Sequence, residues 1–365
     1  MESCHWKPNW SETREHLMGW WEQKDFVIGK WGGVPAQAPR TLSLPRPPEL
    51  RDEAYFLGGA ARAEQDLHDM ASQAFPGDIV PVTDPVLGPG SLHLHLGGEA
   101  RFKTGESVWF EPAFAGIEDV EDIPELTFTG EDPAWVATEA WYRRMLDIYD
   151  ENFFLGVPDL CAGLDILASL RDPNLIMLDL LEEPEWVQAS LEAIDTAYLE
   201  IYNRIQKLVD PEGTRGMGSR SFYIWGPGRT AKVQCDSSVM ISEDMFREFV
   251  QPGLRRVFRD MDRTLFHLDG TDAIRHVDAL LEIEELDVIE WTPEAGKPGG
   301  ADPCWHDMYR KILEAGKSLQ IVYLTPDEVL PLFNAIGHNG IYVMPEFRNV
   351  AQVEDLMRAT DPLRN

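Results

Sequence analysis

From about residue 131 onward, short apolar runs alternate with amphipathic stretches of helical length, and this alternation limits the chain to an α/β architecture. The apolar runs are NFFLGVPD, SFYIWG, the strand-like start of AKVQCDSSVMIS, TLFHLD, LDVIEW, LQIVYL and IYVM. Helical patterns fall at 133–149, 163–170, 185–208, from Ser242 toward Met261, and at 273–281, 303–315, 326–335 and 349–359. Strand and helix at this spacing read as βα units, which predicts a (β/α)8 barrel or a doubly wound sheet. Upstream, a helical pattern spans Asp52 to Met70, and the run Ile79 to Val82 closes on Thr83 and Asp84. Residues 1–50 carry Trp6, Trp10, Trp20, Trp21 and Trp31, then the stretch VPAQAPRTLSLPRPPEL, whose prolines preclude a long helix. The expected organisation is therefore an aromatic N-terminal arm over 1–50 and a barrel domain over 51–365, with the tryptophans as apolar anchors.

The charge balance narrows the partners. Against 32 basic residues stand 63 acidic ones, a formal net charge of −31. Such a surface repels phosphate backbones and anionic lipid, so neither nucleic acid nor a membrane surface is an expected partner. No apolar stretch approaches the ~20 residues of a transmembrane helix. The start MESCHWKPNW lacks the apolar core of a signal peptide. The four cysteines, Cys4, Cys161, Cys235 and Cys304, are scattered with no CxxC pair. Together these features predict a cytoplasmic protein. No GxGxxG opens a βαβ unit, HExxH is absent, and GPGRT at 226–230 is too short for a P-loop, so no nucleotide cofactor is expected.

Chemistry concentrates where predicted strands end. In TLFHLDG, strand alternation puts His267 and Asp269 on one face while Phe266 and Leu268 face the other way, and Gly270 releases the chain into a helix. In an α/β barrel that end of the strand carries the active site. His267 and Asp269 are candidates for metal ligation or acid–base work, or, more plainly, for a helix cap and a backbone hydrogen bond. Asp236 lies in the polar run QCDSS, as a pocket carboxylate or an Asx turn; Cys235 beside it is the weaker nucleophile candidate. Glu290 closes LDVIE with Trp291 as a pocket wall, and Glu294 follows in a loop. Glu290 with Asp269 would form a carboxylate pair on successive strand ends, the arrangement of a glycosidase or lyase. Asp84, Asp159 and Tyr323 also sit at strand ends, with Asp165 nearby, while Arg220 and Arg229 are the counter-charges for an anionic substrate. His93 and His95 in LHLHL share one face if that piece is a strand.

The stretches DIVPVTDPVLGPGSLHLHLGG, VQCDSSVMISEDMFREFVQPGLRRV and TLFHLDG resemble the uroporphyrinogen decarboxylase superfamily, and within it the members near the corrinoid-dependent methyltransferases. The similarity spans roughly residues 50 to 360. It implies a (β/α)8 barrel with its cleft at the C-terminal ends of the strands. GKWGGVPAQAPR does not reproduce the arginine-bearing arm of the true decarboxylases, which turns the expectation away from uroporphyrinogen. The methyltransferase branch holds zinc through a histidine, a cysteine two residues later and a distant C-terminal cysteine. Here the first position matches His267, the second is Asp269 and the third falls near Glu346. A His–Asp–Glu set is harder and more oxygen-rich than that site.

The resemblance thus implies a methyltransferase-related enzyme acting on a small polar molecule, with a divalent metal such as zinc on His267, Asp269 and Glu346. Asp236, Asp269, Glu290 and His267 are the expected catalytic groups; Trp225, Trp291, Tyr323, Arg220 and Asp159 are the expected pocket. A corrinoid protein would be the methyl partner, and a homodimer the assembly. A carboxylate-dependent glycosidase or lyase, and a non-catalytic small-molecule-binding barrel, are the alternatives.

Overall fold

The computed structural model describes residues 4–103 and 108–364. Eight short parallel strands surround a common lumen, with helices outside, in a (β/α)8 barrel arrangement. Six form one sheet, in the order Val27–Ile28, Ile341–Pro345, Ser318–Leu324, Val288–Thr292, Arg263–Asp269 and Thr230–Gln234. The other two, Val82–Thr83 and Phe154–Leu155, pair in parallel with each other. In chain order these are the first (27–28), second (82–83), third (154–155) and fourth to eighth strands. The first strand pairs with the eighth, Val27 against Tyr342, so the barrel begins inside the segment expected to be an arm, and a boundary at residue 50 does not mark its start. Val27–Ile28 is only two residues long, too short to leave a periodic signal in the sequence.

Parallel register explains what the lumen contains. Gln234 pairs with His267, His267 with Glu290, Glu290 with Gln320, and Gln320 with Tyr342. Side chains in register share a face, so this ring points inward, whereas Phe266, Ile289, Ile321 and Val343 pack outward against the helices. The two faces produce two separate apolar clusters, one between strands and helices and one within the lumen.

The lumen cluster closes the N-terminal end. A helix at Trp10–Trp21 buries Trp10, Trp20 and Trp21 against Val27, Val82, Phe154, Leu265 and Val288. Trp20 Nε1 donates to the Leu319 carbonyl at 2.9 Å and Trp21 Nε1 to the Trp225 carbonyl at 3.0 Å, which satisfies both indoles in an apolar setting. The tryptophans anchor as expected, but from a helix beneath the barrel.

The run SFYIWG is not a wall strand of the alternating series. Ile224–Gly226 pairs antiparallel with Met217–Ser219, and this hairpin stands before the fourth strand. Its first arm touches the wall, where Gly218 bridges Gly156 in parallel. Ile224 and Trp225 of its second arm belong to the lumen cluster. LHLHL is likewise a single helical turn, Leu92–His95, so His93 and His95 do not share a strand face. Elsewhere the helices fall near their predicted places, and the Ser242 hydroxyl caps its helix, accepting from the Met245 amide at 3.2 Å. A helix at Pro173–Glu182 lay outside the predicted set; Asp172 caps it and Pro173 starts it. Among the described residues no helix is long and apolar enough to cross a membrane.

Candidate active site

At the C-terminal end of the strands the lumen opens into a cavity of about 440 Å³. Its walls include Asp84, Asp159, Arg220, Phe222, Lys232, Gln234, Asp236, His267 and Asp269, with Leu87 and the Gly88–Pro89 loop along one side. The fifth strand brings His267 and Asp269 there together because alternation puts both inward. Gly270, at φ +82°, then turns the chain in a conformation that suits glycine.

His267 is 11% exposed. Its Nδ1 hydrogen-bonds Glu290 Oε2, and the other Glu290 oxygen accepts from Thr292 Oγ1 at 2.8 Å. Both oxygens of this fully buried carboxylate are therefore engaged. Nδ1 being held, His267 Nε2 is left facing Asp269, whose Oδ2 lies 3.8 Å away. Burial opposes a charged imidazole, but the Glu290 carboxylate outweighs it and raises the His267 pKa.

Asp236 joins the pair from the next strand end. One ligand atom from each of Asp236, His267 and Asp269 lies within 4.8 Å of the others, a spacing that a single cation can bridge. Asp236 is open to the cavity yet has protein on its other sides. Burial and the neighbouring Asp165 carboxylate push its pKa up to about 6. Its backbone is fixed from below, since Asp165 accepts from the amides of Asp236 and Ser237 at 2.8 Å each. Gln234 Nε2 donates to Asp236 Oδ2 at 2.7 Å, and Gln234 Oε1 accepts from Lys232 Nζ. Lysine has no acceptor, so this contact fixes which way the Gln234 amide points. Lys232 Nζ also lies 3.0 Å from both oxygens of Asp159; burial lowers its pKa, but Asp159 wins and the ammonium is stabilised.

Asp84, at the end of the second strand, forms another part of the wall. It is 3% exposed and accepts the Arg220 amide at 2.9 Å. Burial pushes its pKa up to about 7, against the stabilising pull of Arg220. The Arg220 guanidinium keeps its charge: burial opposes it, while Tyr223, Asp66 and Asp84 favour it.

Several expected site residues stand elsewhere. Trp225 lies at the N-terminal end, edge-on to Trp10 at 4.9 Å, and donates from Nε1 to the Arg215 carbonyl. Trp291 is wholly buried on the outward face against Trp305, because it alternates with inward Glu290. Tyr323, 48% exposed, packs its ring beside Trp31 outside the cavity lining. Glu346 lines a separate cleft with Lys30, Trp31 and Arg348 and is not part of the Asp236–His267–Asp269 group. His93 is bonded to Ser169 Oγ and the Glu99 carbonyl, and His95 to Asp132, so both serve packing. Arg229 is bound to Asn203 and Gln206 outside the cavity, and Glu294 accepts from Thr271 Oγ1 in a loop. Burial raises the Cys235 thiol well above its usual pKa, which disfavours a nucleophilic thiolate. Lys232 and Phe222 were not singled out from sequence. A lysine between Ala231 and Val233 in a strand was the available signal, since a charge on an inward position requires a buried partner.

No family model and no characterised protein sequence matches the chain. Among solved structures it is similar to a methyltransferase from Methanosarcina mazei, with a TM-score of 0.61 at 12% identity over 97% of this chain and 99% of that one. A likeness at that identity carries the fold.

Proposed function

We propose that this chain is a barrel enzyme of methyltransferase-related chemistry, of the uroporphyrinogen decarboxylase-like kind, acting on a small polar molecule with the help of a divalent metal. The observation that carries the reading is the His267–Glu290 pair. A buried carboxylate that fixes Nδ1 of an imidazole, leaving Nε2 toward two further carboxylates, is the outer support that metal-binding histidines have. The donor set fits a cation: His267, Asp236 and Asp269 would hold it, and Glu346 would not. Such a set is hard and rich in oxygen, and when bound the metal would lower the pKa of an acceptor group on the substrate. Similarity to a methyltransferase fold and the sequence resemblance favour methyl transfer, with a corrinoid protein as the partner that supplies or takes the methyl group.

The chain's own residues do the rest. Gln234 and Asp165 orient Asp236; Lys232, itself paired with Asp159, holds Gln234 in turn. Asp84, whose pKa burial pushes up to about 7, is suited to hold or release a proton at the cavity wall. A two-carboxylate mechanism built on Asp269 and Glu290 has less support, because neither Glu290 oxygen is free.

Metal content of the untagged protein, measured by plasma mass spectrometry, tests the reading. Wild type is expected to retain near-stoichiometric divalent metal that folded His267→Ala and Asp269→Ala variants lose. A wild type that is folded, metal-free and unable to take up added zinc would overturn it.

A further inference from the structure

The loop joining the two arms of the 217–226 hairpin is held with unusual care. Each of its four residues, 220 to 223, has a backbone group bonded to a side chain from a different part of the barrel. The Arg220 amide donates to Asp84 Oδ2 at 2.9 Å. The Ser221 carbonyl accepts from Trp31 Nε1, the Phe222 carbonyl from Gln320 Nε2 and the Tyr223 carbonyl from the Tyr342 hydroxyl, each at 2.9 Å. Tyr223 has φ +48°, a left-handed conformation that costs a non-glycine residue energy and persists only where surroundings impose it. Four barrel side chains are thus committed to one loop, whose residues 220–223 all line the cavity.

The loop sets what the cavity can accept. The Phe222 ring lies 4.8 Å from the His267 ring and 5.0 Å from Lys232 Nζ, so it covers one side of the candidate metal group. Arg220 supplies charge. Lys232 is consumed by Asp159 at 3.0 Å, whereas no carboxylate among the described residues lies within 4.0 Å of the Arg220 guanidinium. The two acids nearest in effect already have other partners. Asp66 binds Arg62 Nε at 2.8 Å and Trp141 Nε1 at 2.9 Å, and Asp84 binds the Arg220 amide. A guanidinium offers five donors in a planar fork matched to a carboxylate, and here Tyr223 takes part of that capacity.

We propose that this loop is the specificity element of the cavity and that Arg220 receives a carboxylate group of a small substrate. The inference rests on the reading of the cavity as the active site. The bound carboxylate would sit on Arg220 beside Phe222, leaving the rest of the molecule toward His267 and Asp236. A rigid platform suits this task, because a preorganised fork loses less freedom on binding.

The test is calorimetric titration with succinate, and with its neutral diamide, on chelator-treated protein, which removes any metal that could itself bind a carboxylate. Wild type is expected to bind succinate and to ignore the diamide. Arg220→Gln should weaken succinate by about tenfold or more, with Arg220→Lys recovering part of the loss. Equal binding of succinate and diamide, equal affinity in wild type and Arg220→Gln, or no succinate binding by wild type at millimolar concentration would each overturn the proposal. Thermal melts of the Arg220→Lys protein guard against a folding defect. Metal content is read separately, so loss of the metal reading leaves this result standing, and the reverse.

Discussion

The two ends of the barrel lumen use the same strands for opposite purposes. At the N-terminal end inward positions are Val27, Val82, Phe154, Leu265 and Val288, sealed by Trp10, Trp20 and Trp21. Two residues further along the fifth and sixth strands the inward positions become His267 and Glu290. The lower end gains its stability from apolar area removed from water, at roughly 25 cal/mol per Å². The upper end gathers charges, among them the Lys232–Asp159 and His267–Glu290 pairs, and a buried charge costs energy unless it is paired. A floor of buried apolar side chains lies directly beneath the polar group, so the charges gather at the one end of the lumen that opens into the cavity lined by His267 and Asp236.

The contrast is open to attack at both ends. The largest effect is expected at the floor. Trp20 is wholly buried and its indole bonds the Leu319 carbonyl, so Trp20→Ala should cost about 3–5 kcal/mol in denaturant unfolding. The folded fraction should still hold metal; a variant of native stability would show that the floor is not the stabilising end. Asp84 should reveal the opposite economy at the mouth. Its carboxyl rises from 3.8 to about 7, so the native state keeps a proton that the unfolded chain has lost. Stability fully present below pH 3.8 is then lost as pH climbs through 7, by up to about 4 kcal/mol. Asp84→Asn, which still accepts the Arg220 amide, should flatten that slope; an unchanged slope in urea titrations from pH 4 to 8 would assign it to other groups. The smallest effect falls on Glu290→Gln. Loss of a charged tether on His267 should reduce metal affinity by about 10- to 100-fold, with a lesser change in stability. Undiminished affinity would mean that Glu290 does no more than fill the lumen.

How far the site was legible depends on distance along the chain. His267 and Asp269 were readable because they lie two residues apart on one strand, and alternation alone puts them together. Asp84 and Asp159 were readable as residues that follow apolar runs. The same reading failed at Trp291, where the alternation that turns Glu290 inward turns its neighbour outward. It failed at Trp225 because SFYIWG looks like any strand, and nothing local says that its partner is the antiparallel arm Met217–Ser219. His93 and His95 failed for a related reason: five alternating residues are too few to distinguish a strand from one helical turn.

By itself the sequence determined the α/β alternation, the places of most helices and the strand end where chemistry gathers, because each is a property of neighbours within a few residues. Tertiary structure alone decided that Glu290 tethers His267, that Asp236 rather than Glu346 stands beside it, and that a hairpin loop carries Arg220 into the cavity. Those facts depend on register between strands some twenty residues or more apart in the chain, and register is set by the packing of the whole barrel.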